Sequence, residues 1–256
     1  MTKDLILFDI DGTLLQSEKN TIPISTIEAL QKLKEAGHEL AIATGRALFL
    51  VDEQIRSLPF ETFVTANGQH ILHQGQVIYE NAISKEVIER LIEKSHARNQ
   101  GIGLLSATRS GLTKYTDELA KSFDRVSIPI PDVIDDLHHQ DAILQAWYFS
   151  EDFEQLSDEF KEDLRFVPWI DFGADIVPLN GSKAEGIRQL VSHLKQKPRR
   201  VIAFGDGYND IEMLQLADIG VAMGNASEEV KAHADFVTKR IDEDGIFYAC
   251  EQLGLF

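Results

Sequence analysis

The sequence predicts an α/β fold: a doubly wound, mainly parallel, Rossmann-like core sheet with an inserted α+β domain. Three observations carry this. Four short runs are apolar at consecutive positions, Leu5 to Phe8, Leu40 to Ala43, Val201 to Phe204 and Ile219 to Met223, as strands buried on both faces are. Helical patterns separate the first pair of runs. From about Asn81 the strand signals come in consecutive pairs, the mark of antiparallel sheet.

Taken in order, the first strand leads to a helix capped by Ser25, with Ile27, Leu30 and Leu33 on one face. It closes at Lys34-Glu35-Ala36-Gly37, a cationic last turn followed by a glycine stop. The second strand follows, then a helix from about Arg46 to Leu58 before Pro59, and a third strand over Thr62 to Thr65. The inserted region starts with a helix over Ser84 to Ala97 and strands over Ile102 to Ser106 and Leu112 to Tyr115 around Gly111. An irregular stretch with Pro129, Pro131 and the His138-His139 pair comes next. Then follow a strand over Ile143 to Phe149, a helix over Glu151 to Glu162, and strands over Arg165 to Ile170 and Asp175 to Val177. Trp147 and Trp169 lie in strand-like apolar runs and are assigned to the core. After Pro178 the chain returns to a helix over Lys183 to Leu194 and to buried strands. The expected division is a core of 1–80 and 180–256 and an inserted domain of 81–179.

The 43% of hydrophobic residues in a chain of 256 is enough to build a core, which excludes disorder along its whole length. Against 42 Asp and Glu stand 25 Lys and Arg, a net charge of −17, with no basic run longer than Arg199-Arg200. Such a surface repels phosphate backbones and anionic lipid, so neither nucleic acid nor a membrane is an expected partner. The single cysteine, Cys250, excludes an internal disulfide and is read as a small apolar residue in a terminal helix. The opening apolar run stops at Asp9, too short for a signal or spanning segment, and the expected location is cytoplasmic.

Residues with chemical potential gather after the apolar runs, where open α/β sheets place their ligands. Asp9-Ile10-Asp11-Gly12-Thr13 ends the first strand, and period 2 puts both carboxylates on one side if extension persists that far. Two carboxylates about 4 Å apart repel by about 4 kcal/mol at an effective dielectric near about 20, so they call for a proton or a cation. Mg²⁺, which prefers oxygen ligands, meets that need. Thr44-Gly45-Arg46 follows the second strand and offers a hydroxyl and an open backbone amide; a helix cap explains the threonine equally well. Gly205-Asp206-Gly207-Tyr208-Asn209-Asp210 follows the third apolar run and adds two acids and a neutral amide. Its Gly-x-Gly lacks the third glycine of a dinucleotide fingerprint. Lys183, behind Asn180-Gly181-Ser182, is an ordinary helix lysine unless these acids share a pocket with a phosphate, where an ammonium offsets their charge. The eight histidines show no metalloprotease spacing.

These four motifs, in this order, resemble those of the haloacid dehalogenase superfamily: Asp9-Ile-Asp11-Gly-Thr13, Thr44, Lys183 and Gly205-Asp206-Gly-Tyr-Asn-Asp210. The long insertion, with Asn67-Gly68 after the third strand, is similar to the Cof-type subfamily, whose α/β cap lies between the second and third motifs. The resemblance implies Asp9 as nucleophile toward a phosphomonoester, forming an aspartyl-phosphate, and Asp11 as acid to the leaving alcohol and then base to water. It implies Mg²⁺ held by an Asp9 oxygen, the Asp11 carbonyl and Asp206, with Asp210 in or just behind that set. Thr44, the Gly45 amide and Lys183 would hold the phosphoryl oxygens, and Asn209 would orient them or Lys183. Arg46 and Asn67, on loops at the same edge, are further substrate-binding candidates. The cap would select the leaving group.

An acid at position 11 favours a phosphatase or a phosphomutase over a dehalogenase. The expected activity is hydrolysis of small phosphorylated metabolites such as sugar phosphates; a sugar phosphomutase would keep the same core. An aspartate-phosphorylated signalling receiver uses a similar cluster. Receivers, however, are about half this length, with the acceptor after the third strand. A catalytically idle binding protein would have no need of intact Asp9, Asp11, Lys183 and Asp206.

Overall fold

Residues 3–16, 19–126 and 128–256 are described by the structure, a computed structural model. The chain runs β1 (Leu5–Phe8), α1 (Ile24–Ala36), β2 (Glu39–Ala43), α2 (Glu53–Arg56), β3 (Thr62–Thr65), β4 (His70–His73) and β5 (Gln76–Glu80). It continues through α3 (Lys85–Ala97), β6 (Gly103–Leu105), β7 (Ser110–Leu112), α4 (Asp117–Arg125), α5 (Leu137–Gln140), β8 (Gln145–Phe149), α6 (Phe153–Phe160), β9 (Leu164–Ile170) and β10 (Gly173–Pro178). It ends with α7 (Lys183–His193), β11 (Val201–Gly205), α8 (Ile211–Leu216), β12 (Ile219–Ala222), α9 (Glu228–Lys231), β13 (Phe236–Val237) and α10 (Gly245–Gln252). Two compact units result, one of Met1–Arg46, Val51–Tyr79 and Ser182–Phe256, the other of Ala47–Leu50 and Glu80–Gly181.

The fold is α/β, with a mainly parallel core sheet and a separate antiparallel sheet. In the first unit the strand order is β13-β12-β11-β1-β2-β3-β4-β5. All neighbours from β13 to β3 are parallel, and β4 turns back antiparallel on β3. β1 lies between β11 and β2, with Leu5 opposite both Val201 and Glu39. Successive strands run outward from β1 in one direction through β2 and β3, and in the other through β11 and β12. This reversal opens a crevice at the carboxyl ends of β1 and β11. Burial on both faces explains the unbroken apolar runs: Leu5 and Leu7 join Ile187 and Leu190 of α7 and Met213 of α8 in one core cluster. The alternate positions face the other way, and there Phe8 stacks on Phe204 at 4.9 Å between ring centroids.

In the second unit the sheet order β7-β6-β8-β10-β9 is antiparallel throughout. β8 is buried along its whole length because its two faces feed two clusters. Ala146 and Tyr148 pack with Ile88, Leu91 and Leu137, while Trp147 and Phe149 pack with Phe123, Leu112 and Ala47. No helix among the described residues is long and apolar enough to cross a membrane.

Several local expectations are corrected. Pro23, not Ser25, precedes α1; its rigid φ suits a helix entrance, and Gly37 does close the helix at φ 89°. The helix expected over 46–58 is a 3-10 turn at Leu48–Leu50 and the single turn α2, since Leu48, Phe49 and Leu50 give no helical stripe and Asp52 restarts the chain in an extended conformation. β4, β5 and α4 are not among the expected elements; α4 has few apolar positions, and β5, apolar over Val77 to Tyr79, is a half-exposed strand at the sheet edge. Trp169 is 37% exposed, set edge-on to Phe149 at 6.0 Å, and only Trp147 is a core residue. Cys250 is buried on α10, where burial pushes its thiol up to about 12.

Candidate active site

Extension of β1 stops at Phe8, and the next residues form a tight loop in which the amides of Thr13, Leu14 and Leu15 all donate to the Ile10 carbonyl. Asp9 stays buried at the strand end, 6% exposed, whereas Asp11 is exposed. Extension therefore does not persist to Asp11, although its charge still bears on Asp9. The Asp11 carboxylate is held by Arg46, whose Nε and Nη2 donate to its two oxygens at 2.9 and 2.7 Å, and Arg46 Nη1 reaches Asp52 at 2.6 Å. Burial would lower the Arg46 guanidinium, but these acids hold it above its ordinary range.

The acids that do converge are Asp9, Asp206 and Asp210, one oxygen from each lying within 4.8 Å of the others. Sheet register causes this. Phe8 lies opposite Phe204, so residues one or two beyond each strand end share one crevice. Lys183, 1% exposed at the start of α7, donates to Asp9 Oδ1 at 2.7 Å and Asp210 Oδ1 at 2.6 Å. The cap of α7 is Ser182, whose hydroxyl accepts from the Glu185 amide. The start of α7 approaches the turn at 66–68 closely because both contacts are glycines: a Cβ on Gly68 would lie 2.1 Å from the Ser182 carbonyl oxygen, and one on Gly186 would lie 2.7 Å from the Gly68 Cα.

Asp210 has both oxygens engaged: Oδ1 by Lys183, Oδ2 by the amides of Asp206 and Gly207 at 2.9 and 2.8 Å. It braces the loop that presents Asp206. Asp206 accepts from the Thr13 hydroxyl at 2.9 Å and from Asn225 Nδ2 at 3.2 Å. Asn225 also donates to the Gly12 carbonyl at 2.9 Å, while its own oxygen accepts from the Ile241 amide. One amide side chain thus ties three segments together.

Thr44 is buried, and its hydroxyl accepts from the Arg46 amide at 3.1 Å; Gly45 is half-buried in the bend between them. The Thr44 carbonyl accepts from the Asn67 amide, and the Arg46 carbonyl from that of Ala66. Ala66 and Asn67 both take left-handed φ, 51° and 50°, a rare conformation outside glycine that marks a held loop. Asn67 Oδ1 accepts from Asn209 Nδ2 at 3.3 Å. Thr13 and Asn225 were missed as site residues. Thr13 was legible as part of the first motif, and Asn225 only through Gly224-Asn225 after another apolar run.

Electrostatically the three acids exceed the one ammonium. Burial pushes Asp9 well above the usual carboxylate range; Lys183 pulls it down, and Asp210, Asp206 and Asp11 push it up again. Asp206 is pushed up to about 7, by burial first and Asp210 next. Burial would lower Lys183, but Asp210 and then Asp9 hold it above its ordinary range. Oxygen-only donors with surplus negative charge fit a hard divalent cation.

A family model for haloacid dehalogenase-like hydrolases matches residues 6–250. The chain belongs to this family. Among solved structures, BT1666 from Bacteroides thetaiotaomicron, a haloalkanoate superfamily phosphatase, superposes with TM-score 0.91 at 32% identity, covering 100% of this chain and 96% of its own. The subclass IIB sugar phosphatase BT4131 does so with TM-score 0.87 at 33% identity, covering 100% of both chains. The Bacillus subtilis protein YkrA is 36% identical over 100% of this chain and 99% of its own. This hydrolase is a phosphatase of the Cof-type, subclass IIB branch. Relatives of the family act on small phosphorylated metabolites; one, 28% identical over 93% of both chains, is the pyridoxal phosphate phosphatase YbhA of Escherichia coli.

Proposed function

We propose that the protein is a Mg²⁺-dependent phosphatase of small phosphorylated metabolites, sugar phosphates foremost, working through an aspartyl-phosphate on Asp9. The observation that carries this reading is the convergence of Asp9, Asp206 and Asp210 within 4.8 Å around the buried Lys183. The sugar phosphate preference is supported by the subclass IIB likeness. Asp9 and Asp206, with the Asp11 carbonyl, would hold the cation, and Asp210 would brace Asp206 from behind. Mg²⁺ supplies there a Lewis acid that offsets charge on the transferring phosphoryl group.

Asp9 attacks phosphorus, forming a carboxylate oxygen–phosphorus bond as the phosphorus–oxygen bond to the leaving alcohol breaks. Asp11 delivers a proton to that alcohol. Water then attacks the aspartyl-phosphate, gives its proton to Asp11, and frees Asp9 with release of inorganic phosphate. Lys183 favours the ionised form of Asp9 and holds it in position through their 2.7 Å contact. Thr44, the Gly45 amide and Lys183 hold phosphoryl oxygens, and the Asn67–Asn209 contact fixes the two loops beside them. Positioning and fixed charge supply most of the stabilisation that a loose phosphoryl transition state requires. Segment 81–179 is read as the inserted domain that selects the leaving group.

Release of inorganic phosphate from a panel of phosphorylated sugars and cofactors, with and without Mg²⁺, tests this. Turnover that requires Mg²⁺ and favours hexose or pentose phosphates supports the reading. Turnover unaffected by chelation removes the metal assignment, and no turnover on any monoester removes the proposal.

A further inference from the structure

The second unit holds a cluster of different chemistry, built from residues that have no part in the proposed hydrolysis. Glu89 lies on α3, and His138 and His139 on the short helix α5. One ligand atom from each of the three lies within 4.8 Å of the other two. His139 Nε2 is 3.9 Å from Glu89 Oε1, and the two imidazole rings sit 4.0 Å apart between centroids at a 40° tilt. His138 is only 6% exposed, and its buried Nδ1 makes no hydrogen bond. An interior imidazole nitrogen without a partner is uncommon, since buried polar atoms are nearly always satisfied. Here a ring with an unused nitrogen sits beside a second imidazole and a carboxylate.

We propose that Glu89, His138 and His139 form a binding site for a borderline divalent transition cation such as Zn²⁺, which joins α3 to α5. Two nitrogens and one oxygen suit Zn²⁺ and its neighbours in the first transition row, whereas Mg²⁺ prefers an all-oxygen set. Three protein ligands leave a fourth position for water. Ligation needs a neutral imidazole. Burial, and next the neighbouring His139, hold His138 below the usual histidine range, the direction that favours the neutral ring. The other charges facing His138 are Glu89 and Asp136, which favour a cation, and Lys85, which opposes one.

The cation also has a structural consequence. α5 is one turn long, too short to be stable by its own hydrogen bonds. It is held through Leu137, which packs with Ile88 and Leu91 of α3. A metal bridge adds a second, directional link across the same junction. Neither histidine spacing nor any single-helix pattern announces the site, because the carboxylate comes from a distant helix.

Zn²⁺ titration of the full chain by calorimetry in saturating Mg²⁺, added to compete for the acidic crevice of the proposed function, tests the proposal. One Zn²⁺ per chain is expected, with a rise in Tm of about 5 °C when the site is filled. His139→Ala and Glu89→Gln, both at exposed positions, should each weaken binding at least about tenfold. Asp206→Asn should leave it intact, and Cu²⁺ bound in place of Zn²⁺ should show nitrogen hyperfine coupling that His139→Ala reduces. The proposal is overturned if no saturable binding occurs at millimolar Zn²⁺, if Asp206→Asn abolishes it, or if both His139→Ala and Glu89→Gln bind as the parent does.

Discussion

Arg46 grips both oxygens of Asp11 at 2.9 and 2.7 Å, so the second acid of the first motif is held by a guanidinium that also binds Asp52. A fork of this kind fixes the orientation of the Asp11 carboxylate, which the proposed proton transfer requires. Lysine has the charge but not the fork and cannot span both acids. Arg46→Lys is expected to lower kcat/KM about tenfold or more. Stability should change by less than about 1 kcal/mol, because the pairs are partly solvated. Unchanged kinetics on p-nitrophenyl phosphate would separate Arg46 from the reaction.

Asp9→Asn removes the nucleophile while easing repulsion among buried acids. Turnover should fall by more than about 1,000-fold with the melting temperature retained or raised, read by phosphate release and circular dichroism. Near-normal activity in the folded variant rules out the aspartyl-phosphate on this residue.

Lys183→Met leaves Asp9 and Asp210 buried without their ammonium. A loss of about 3–5 kcal/mol in urea unfolding is expected, as for breaking a buried pair from one side. Adding Asp210→Asn should recover part of that stability but not the activity. A single variant as stable as the parent would contradict the buried pairing.

Gly12 sits at φ 80°, and a Cβ there would lie 2.1 Å from Asp206 Oδ2. Gly12→Ala should displace Asp206, raising the Mg²⁺ concentration needed for half-maximal activity about tenfold or more. An unaltered Mg²⁺ dependence would remove Asp206 from the cation site.

Asp206 is pushed up to about 7 in the cation-free protein, above its value of about 3.9 when unfolded. The folded state then binds the extra proton between these values, so its contribution to stability is present below about 3.9 and declines as pH rises to about 7. In chelator, melting temperature should fall over that interval. Mg²⁺ should restore it near neutrality and do little in acid. Identical curves with and without Mg²⁺ would refute a cation at this cluster.

The apolar runs at 5–8, 40–43, 201–204 and 219–223 and the polar residues just behind them were legible because each depends on neighbours a few positions away. A doubly buried strand must be apolar throughout, and a ligand crevice must follow the strand ends. The sequence alone therefore determined the α/β class and brought Asp9, Lys183, Asp206 and Asp210 under suspicion together. Over residues 46–58, hydrophobic content without periodicity leaves helix and turn equally available, and the chain takes turns there.

Tertiary structure decided the partnerships. That Thr13 donates to Asp206, 193 positions away, follows from Phe8 lying opposite Phe204 in the parallel ladder. The Asp11–Arg46 fork, the Asn225 tie and the meeting of Glu89 with His138 and His139 arise in the same way. Each depends on where strand register and helix packing set a side chain in space, and residue spacing along a chain does not encode that distance.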